Sequence, residues 1–213
     1  MTLAKCLSER LFRKIVNHYV RMAVSGESAI QSGHYILCSN HSSHADSVLL
    51  MMAGGGSFDD YSLIAAQDYW FENKIRKTII GSLLNLIPID RRPKERRQVS
   101  FSESTTISKK ALSKSKDHKL IFYGSGTRTN KASPIKPGIV LLAAQLNIPV
   151  IPITINNSDI FYGKHAKWFT PCNISVTFHD PITVNMEKSV DGTYLDSDIE
   201  SYCKVIQSAI ESK

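Results

Sequence analysis

The chain has 213 residues, 42% of them apolar, with a mean hydropathy of −0.14, which suits one domain with a substantial core, soluble or held at a membrane surface. Its longest uncharged run, Pro137 to Ser158, carries three prolines, Gln145 and three asparagines, a poor composition for a membrane-spanning helix. The net charge of +7 is contributed by Arg91 to Lys119, where ten Lys or Arg face three acids. Such a segment wants phosphate, but a single aromatic (Phe101) and no zinc-finger or RNP1 pattern argue against nucleic acid.

At the N-terminus, Leu3, Leu7, Leu11, Phe12, Ile15, Val16, Tyr19, Val20 and Ala23 recur with helical spacing, so an amphipathic helix is expected over residues 1–23. Its basic residues mostly take the other face, and two uses fit: packing on the domain, or lying in a membrane interface. Lys5, Glu9, Arg10, Arg13 and Lys14 interrupt any apolar signal core. Cys6, Cys38, Cys172 and Cys203 are scattered without a C-x-x-C pair. They read as reduced thiols of a cytoplasmic-side protein, with neither a disulfide framework nor a metal site.

From residue 24 to 213 short apolar runs alternate with helical stretches. Strands are expected at 34–38, 61–66, 85–89, 119–123, 149–155 and 173–178, and helices at 44–54, 70–81, 98–115, 136–147 and 195–211. This alternation predicts an α/β fold, a single domain whose largely parallel sheet is flanked by helices. Ligands in such folds gather beyond the carboxyl ends of the strands. His41, Arg91 and Gly124 each follow a strand there, so one crevice can hold all three.

The densest chemistry lies in Asn40-His41-Ser42-Ser43-His44-Ala45-Asp46, at a strand-to-helix junction. On an unbroken helix, five residues would rotate His41 and Asp46 about 140° apart. They meet only if His41 lies on the loop and Asp46 in the first helical turn. Together they would form a general base and its supporting acid. The competing reading makes Ser43 and Asp46 an S-x-x-D helix-start pair, with His41 an ordinary loop residue; His44 is the bystander in either case. Further on, Ile89-Asp90-Arg91 ends a strand in a cation, and Tyr123-Gly124-Ser125-Gly126-Thr127-Arg128 forms a loop able to wrap an anion. Ile148-Pro149-Val150-Ile151-Pro152-Ile153 follows as a buried strand.

In this order the four blocks resemble the glycerolipid (lysophosphatidic acid) acyltransferase family, whose members carry N-H-x-x-x-x-D, I-D-R, F-P-E-G-T-R and V-P-I-I-P-V-like segments. The likeness extends to Val24-Ser25-Gly26-Glu27, Lys136-Pro137-Gly138 and Phe178-His179-Asp180-Pro181-Ile182, so it covers most of residues 24–182. The third block departs from the pattern: Ser125 stands where the family has Glu, and Gly124 where it has Pro. Related soluble glycerol-3-phosphate acyltransferases carry a Ser-Gly-Gly-Arg run there.

The resemblance implies an acyltransferase domain over 24–213 that moves a fatty acyl group from acyl-CoA or acyl carrier protein to a lysophospholipid such as 1-acylglycerol-3-phosphate. His41 would be the general base, steadied by Asp46, with backbone N–H groups near the helix start stabilising the oxyanion. Arg91, Gly126, Thr127 and Arg128 would hold the acceptor phosphate, with Ser125 and Asn40 in support. No cofactor or metal is implied beyond the thioester donor, and the partners are that donor, the phosphorylated lysolipid and a membrane surface. The protein would sit peripherally on the cytoplasmic face of a membrane. Three alternatives stay open: a lipid-binding protein with impaired turnover, a glycerol-3-phosphate acyltransferase, and a thioester hydrolase.

Overall fold

The computed structural model describes residues 3–30, 32–67, 84–90, 99–126, 133–189 and 191–212. The helix expected at 70–81 and the residues Arg91, Thr127 and Arg128 lie outside them. In chain order the elements are α1 (Leu3–Tyr19), β1 (Val20–Ser25), β2 (Ile36–Ser39), α2 (Asp46–Ala53), β3 (Tyr61–Ala66), β4 (Asn85–Ile89), α3 (Phe101–Leu112), β5 (Lys119–Ile121), α4 (Gly138–Leu146), β6 (Val150–Asn156), α5 (Ser158–Tyr162), β7 (Cys172–Phe178) and α6 (Asp196–Glu211).

The seven strands form one sheet in the order β1-β7-β6-β2-β5-β3-β4. Neighbours are parallel except β6 and β7. Strand alternation splits the core into two layers. Leu37, Leu63, Ile151 and Ile153 face α1 and α2 on one side. Ile36, Cys38, Ile64, Leu120 and Val150 face α3, α4 and α6 on the other. The two central strands β2 and β5 are buried along their whole length, as strands covered on both faces require.

Local signals set the helix ends. Ser100 and Glu103 close a reciprocal capping box on α3, and Asn147 ends α4 in the left-handed region at φ 52°. Gly26 sits at φ 72°, where an added Cβ would fall 1.9 Å from the Phe178 carbonyl oxygen, so only glycine fits the turn after β1.

The N-terminal helix stops at Tyr19, short of the expected residue 23, because Val20–Ser25 pairs in register with Cys172–Thr177 of β7. Val20 and Ala23 satisfy helical spacing on paper, yet Val20, Met22 and Val24 also alternate with period two, and a free strand edge decided between them. The expected apolar face of α1 divides as well. Phe12, Ile15, Val16 and Tyr19 pack on the core, whereas Leu3, Leu7 and Leu11 are 77%, 56% and 58% exposed. Lys5 Nζ pins the helix to Asp59 Oδ1 at 2.9 Å and Asn85 Oδ1 at 2.6 Å, and Arg13 donates to the Gly56 carbonyl at 2.7 Å. Packing on the domain therefore holds for one side of the helix only.

Candidate active site

β2 ends by delivering Asn40 into a clamp. Its side-chain amide donates to the Ile155 carbonyl at 2.7 Å and its oxygen accepts the Ile155 N–H at 2.8 Å, extending the β2–β6 ladder by one side chain. That fixes the point from which the loop departs. His41 follows on the loop and Asp46 is the first residue of α2, so the spacing of five brings the two together. His41 Nδ1 lies 2.8 Å from Asp46 Oδ2. A carboxylate only accepts, so Nδ1 carries a proton, and in the neutral ring Nε2 keeps the lone pair.

The same Oδ2 atom accepts the backbone N–H groups of Ser42 and Ser43, both at 2.9 Å, and Asp46 is fully buried. The two sequence readings therefore coexist: Asp46 braces the loop before α2 and orients the imidazole. The helix start itself is not the S-x-x-D box, since Ala45 is the N-cap without a side-chain bond. Ser43 Oγ accepts from the Ala45 N–H at 3.0 Å and donates to the Tyr162 carbonyl at 2.8 Å.

This wiring removes four loop amides from the candidates for oxyanion stabilisation and leaves the first-turn amides of α2, from Asp46 to Val48, as the helix-start donors. The N–H groups of Ser42 and Ser43 are spent on Asp46, that of His44 on the Tyr162 carbonyl, and that of Ala45 on Ser43 Oγ. None of these four points to a substrate. Ser43 is fully buried, and Ser42 Oγ pairs with Ser158 Oγ at 2.9 Å, so neither hydroxyl is set up as a nucleophile.

Tyr123 plays a part that sequence reasoning missed. Its ring stacks on the His41 imidazole with centroids 3.8 Å apart and planes 12° from parallel. Its hydroxyl bonds Ser47 Oγ at 2.7 Å inside the core. The imidazole is thus held in direction by Asp46 and in plane by Tyr123. The signal was an aromatic at the end of a strand, directly before the glycine loop.

That loop begins as a turn in which the Gly126 N–H donates to the Tyr123 carbonyl at 3.0 Å. Gly126 is at φ 69°, with Lys136 packed over the space a side chain would take. Gly124 has its own reason for replacing proline: its N–H donates to the Cys38 sulfur, and a Cβ there would meet Ile135 Cδ1 at 2.3 Å. Burial pushes the Cys38 thiol up to about 12, offset in part by that N–H, so it is unreactive. All four cysteines are free. Among the described residues no cluster of three or more His, Cys, Asp or Glu is placed to hold a metal.

His41 faces a cavity of about 930 Å³, within the range of small-molecule sites. Its walls are largely apolar and include Phe12, Ile15 and Val16 of α1 together with Phe161 and Phe169. The polar lining includes His41, Asp90, Gly126, Lys136 and Lys164, so the structure gathers the first block, Ile89 and Asp90 of the second and the start of the third around one space. In the basic segment, Lys109, Lys110, Lys114 and Lys116 are exposed and do not line this cavity. Lys119 is instead buried, its ammonium bonded to the Asp117 carbonyl at 2.9 Å.

A model of the family described as Acyltransferase matches residues 21–156. This chain belongs to the acyltransferase family. The match spans β1 to β6 and so contains both members of the His41–Asp46 pair and the Tyr123–Gly126 turn. Among curated relatives, Caenorhabditis elegans acl-1, assigned provisionally by its name to the 1-acyl-sn-glycerol-3-phosphate acyltransferases, is 27% identical over 46% of this chain and 36% of its own. The Cocos nucifera 1-acyl-sn-glycerol-3-phosphate acyltransferase is 29% identical over 32% of this chain and 22% of its own. The alignments thus span well under half of each relative's length. Over the whole fold, the acyltransferase resembles the crystal structure of the Thermotoga maritima 1-acyl-sn-glycerophosphate acyltransferase PlsC, with a TM-score of 0.67 at 17% identity, covering 97% of this chain and 78% of that one. The shared fold is that of a mostly parallel sheet with helices on both faces.

Proposed function

We propose that this acyltransferase moves a fatty acyl group from acyl-CoA or acyl carrier protein to the hydroxyl of a lysophospholipid of the 1-acylglycerol-3-phosphate type. The observation that carries the reading is His41, tied to buried Asp46 at 2.8 Å, on the wall of a largely apolar cavity. Nε2 takes the proton from the acceptor hydroxyl as its oxygen attacks the thioester carbonyl. The carbon–sulfur bond then breaks, and the imidazolium returns its proton to the leaving thiolate. Asp46 steadies the imidazolium in between. Gly126, Thr127 and Arg128, with Arg91, are assigned to the acceptor phosphate on the strength of the motif order. The apolar walls suit an acyl chain. The exposed leucines of α1, flanked by Arg10 and Lys14, fit a peripheral seat on a membrane, and we place the protein on the cytoplasmic face. Among the described residues no helix is long and apolar enough to cross a bilayer.

The test is thiol release from a long-chain acyl-CoA with lysophosphatidic acid, with glycerol-3-phosphate and with neither, beside His41→Ala. Release that requires lysophosphatidic acid and drops about 10²-fold or more in the variant supports the proposal. Release with glycerol-3-phosphate alone reassigns the acceptor, and release without acceptor makes the protein a hydrolase. A second reading, lipid binding with impaired turnover, is favoured by one feature: Ser125 where the family has Glu. Lipid binding without release from CoA or carrier-protein donors would establish it.

A further inference from the structure

The segment Gly163-Lys164-His165-Ala166-Lys167-Trp168-Phe169-Thr170 contains two lysines and a histidine and no acid. Trp168 is 83% exposed, above every other large apolar side chain among the described residues. An indole left in water has given up a large burial gain. Looseness of the loop does not explain it, because the next residue is firmly held. Phe169 stacks on Phe161 with centroids 5.2 Å apart and leans on Tyr162 at 4.9 Å and Tyr19 at 5.7 Å. The backbone is tied as well, with the Ala166 N–H on the Gly163 carbonyl at 3.1 Å and the Thr170 N–H on the Phe161 carbonyl at 3.0 Å. The fold therefore presents Trp168 outward from a rigid base.

That base is joined to the candidate site. Gly163 pairs with Ser43 in an isolated bridge, and the Lys164 carbonyl lies 3.4 Å from His44 Nε2. Lys164 and Phe169 line the cavity that His41 faces, and α1 lines it too through Phe12, Ile15 and Val16. The outer face of α1 carries the exposed leucines. Thus two elements that wall the same cavity each turn apolar and basic side chains to solvent, Arg10 and Lys14 on α1 and Lys164 and Lys167 on the loop.

We propose that the Gly163–Thr170 loop docks on an anionic lipid bilayer, with Trp168 seated at headgroup depth and Lys164 and Lys167 on lipid phosphates. Tryptophan favours that depth because its ring is apolar and its N–H wants a partner. Lysines beside it keep their ammonium groups in the headgroup layer and gain from the negative surface potential. The docking stands apart from turnover; that it brings the cavity against the layer holding the lysolipid rests on the acyltransferase reading.

The experiment uses the full chain with vesicles of phosphatidylglycerol and phosphatidylcholine and with phosphatidylcholine alone. Trp70→Phe leaves Trp168 as the sole indole; if that variant does not fold, the difference in emission between wild type and Trp168→Ala serves instead. On anionic vesicles the Trp168 emission should shift to the blue and be quenched by brominated acyl chains. Trp168→Ala should weaken vesicle binding about tenfold or more, and Lys167→Glu should weaken it similarly at low salt, with the difference shrinking as salt is added. Both variants should keep their turnover on a dispersed, short-chain lysolipid. No binding to anionic vesicles, or binding with unchanged Trp168 emission and no loss in either variant, overturns the proposal. A blue shift with an acidic carrier protein and none with vesicles also overturns it and gives the loop to a protein partner. Vesicle binding without thiol release sinks the acyltransferase reading and leaves the anchor standing.

Discussion

Asp46 does two jobs through one atom, and two substitutions separate them. Its Oδ2 accepts from His41 Nδ1 at 2.8 Å and from the N–H groups of Ser42 and Ser43 at 2.9 Å, with the side chain fully buried. Asp46→Ala removes the acceptor from two backbone donors in a dry site, at about 1–3 kcal/mol each. The expected loss of stability is thus about 2–6 kcal/mol, a large share of the ~5–15 kcal/mol that holds a domain folded. Asp46→Asn keeps an oxygen where Oδ2 stands, so both N–H groups retain a partner; its amide nitrogen replaces the buried, unpartnered Oδ1, so stability should fall by about 1–3 kcal/mol, less than in the Ala variant. The protonated imidazole, however, loses its counter-charge, and kcat should fall about 10²–10⁴-fold. Urea unfolding followed by circular dichroism and thiol release from acyl-CoA read the two quantities on the same samples. An Asn variant that turns over within about threefold of wild type would refute the role in orienting and neutralising His41. An Asn variant that unfolds as easily as the Ala variant would refute the bracing role.

Two further expectations concern the ring that His41 rests on and a buried histidine far from the site. Tyr123→Phe keeps the stack and should retain turnover within about threefold, while Tyr123→Leu removes it and should cost about tenfold in kcat, the scale of an aromatic pair; full turnover in a well-folded Leu variant would leave the stack without a role. His118 is buried beneath β3 and β5 with Nε2 on Ser62 Oγ at 2.9 Å, and its Nδ1 has no partner among the described residues. Burial, with Lys114 nearby, lowers its pKa to about 4, against the opposing pull of Asp60. The unfolded chain takes up this proton near pH 6.5 and the folded one only near 4, so its contribution is intact above 6.5 and fades as pH falls through that window. About 3 kcal/mol should be lost there. Urea unfolding at pH 7 and 4.5 tests this, and an equal loss in His118→Gln would assign the acid sensitivity to other groups.

Much of the fold was legible because both sheet faces are covered. The strands read as short apolar runs, and β3 at 61–66 and β4 at 85–89 fall where those runs lie. The same pattern failed at Val20–Ser25, whose residues satisfy a helical and an alternating period equally. There the unpaired edge of β7 decided. The short helix Ser158–Tyr162 also escaped notice, since five residues after a left-handed Asn157 carry no periodic signal.

For the site, the chain alone determined which residue types stand at which spacing, and so that His41 and Asp46 could meet across a strand-to-helix junction. Tertiary structure decided what surrounds them. Asn40 reaches 115 positions along the chain to Ile155, Tyr123 arrives on β5's exit to stack on His41, and α1 turns Phe12 and Ile15 into the cavity while leaving Leu7 outside. None of these follows from local periodicity, because each depends on a partner brought near by sheet order. A spacing fixes which contacts a short loop permits; the burial of distant segments against one another selects those that form.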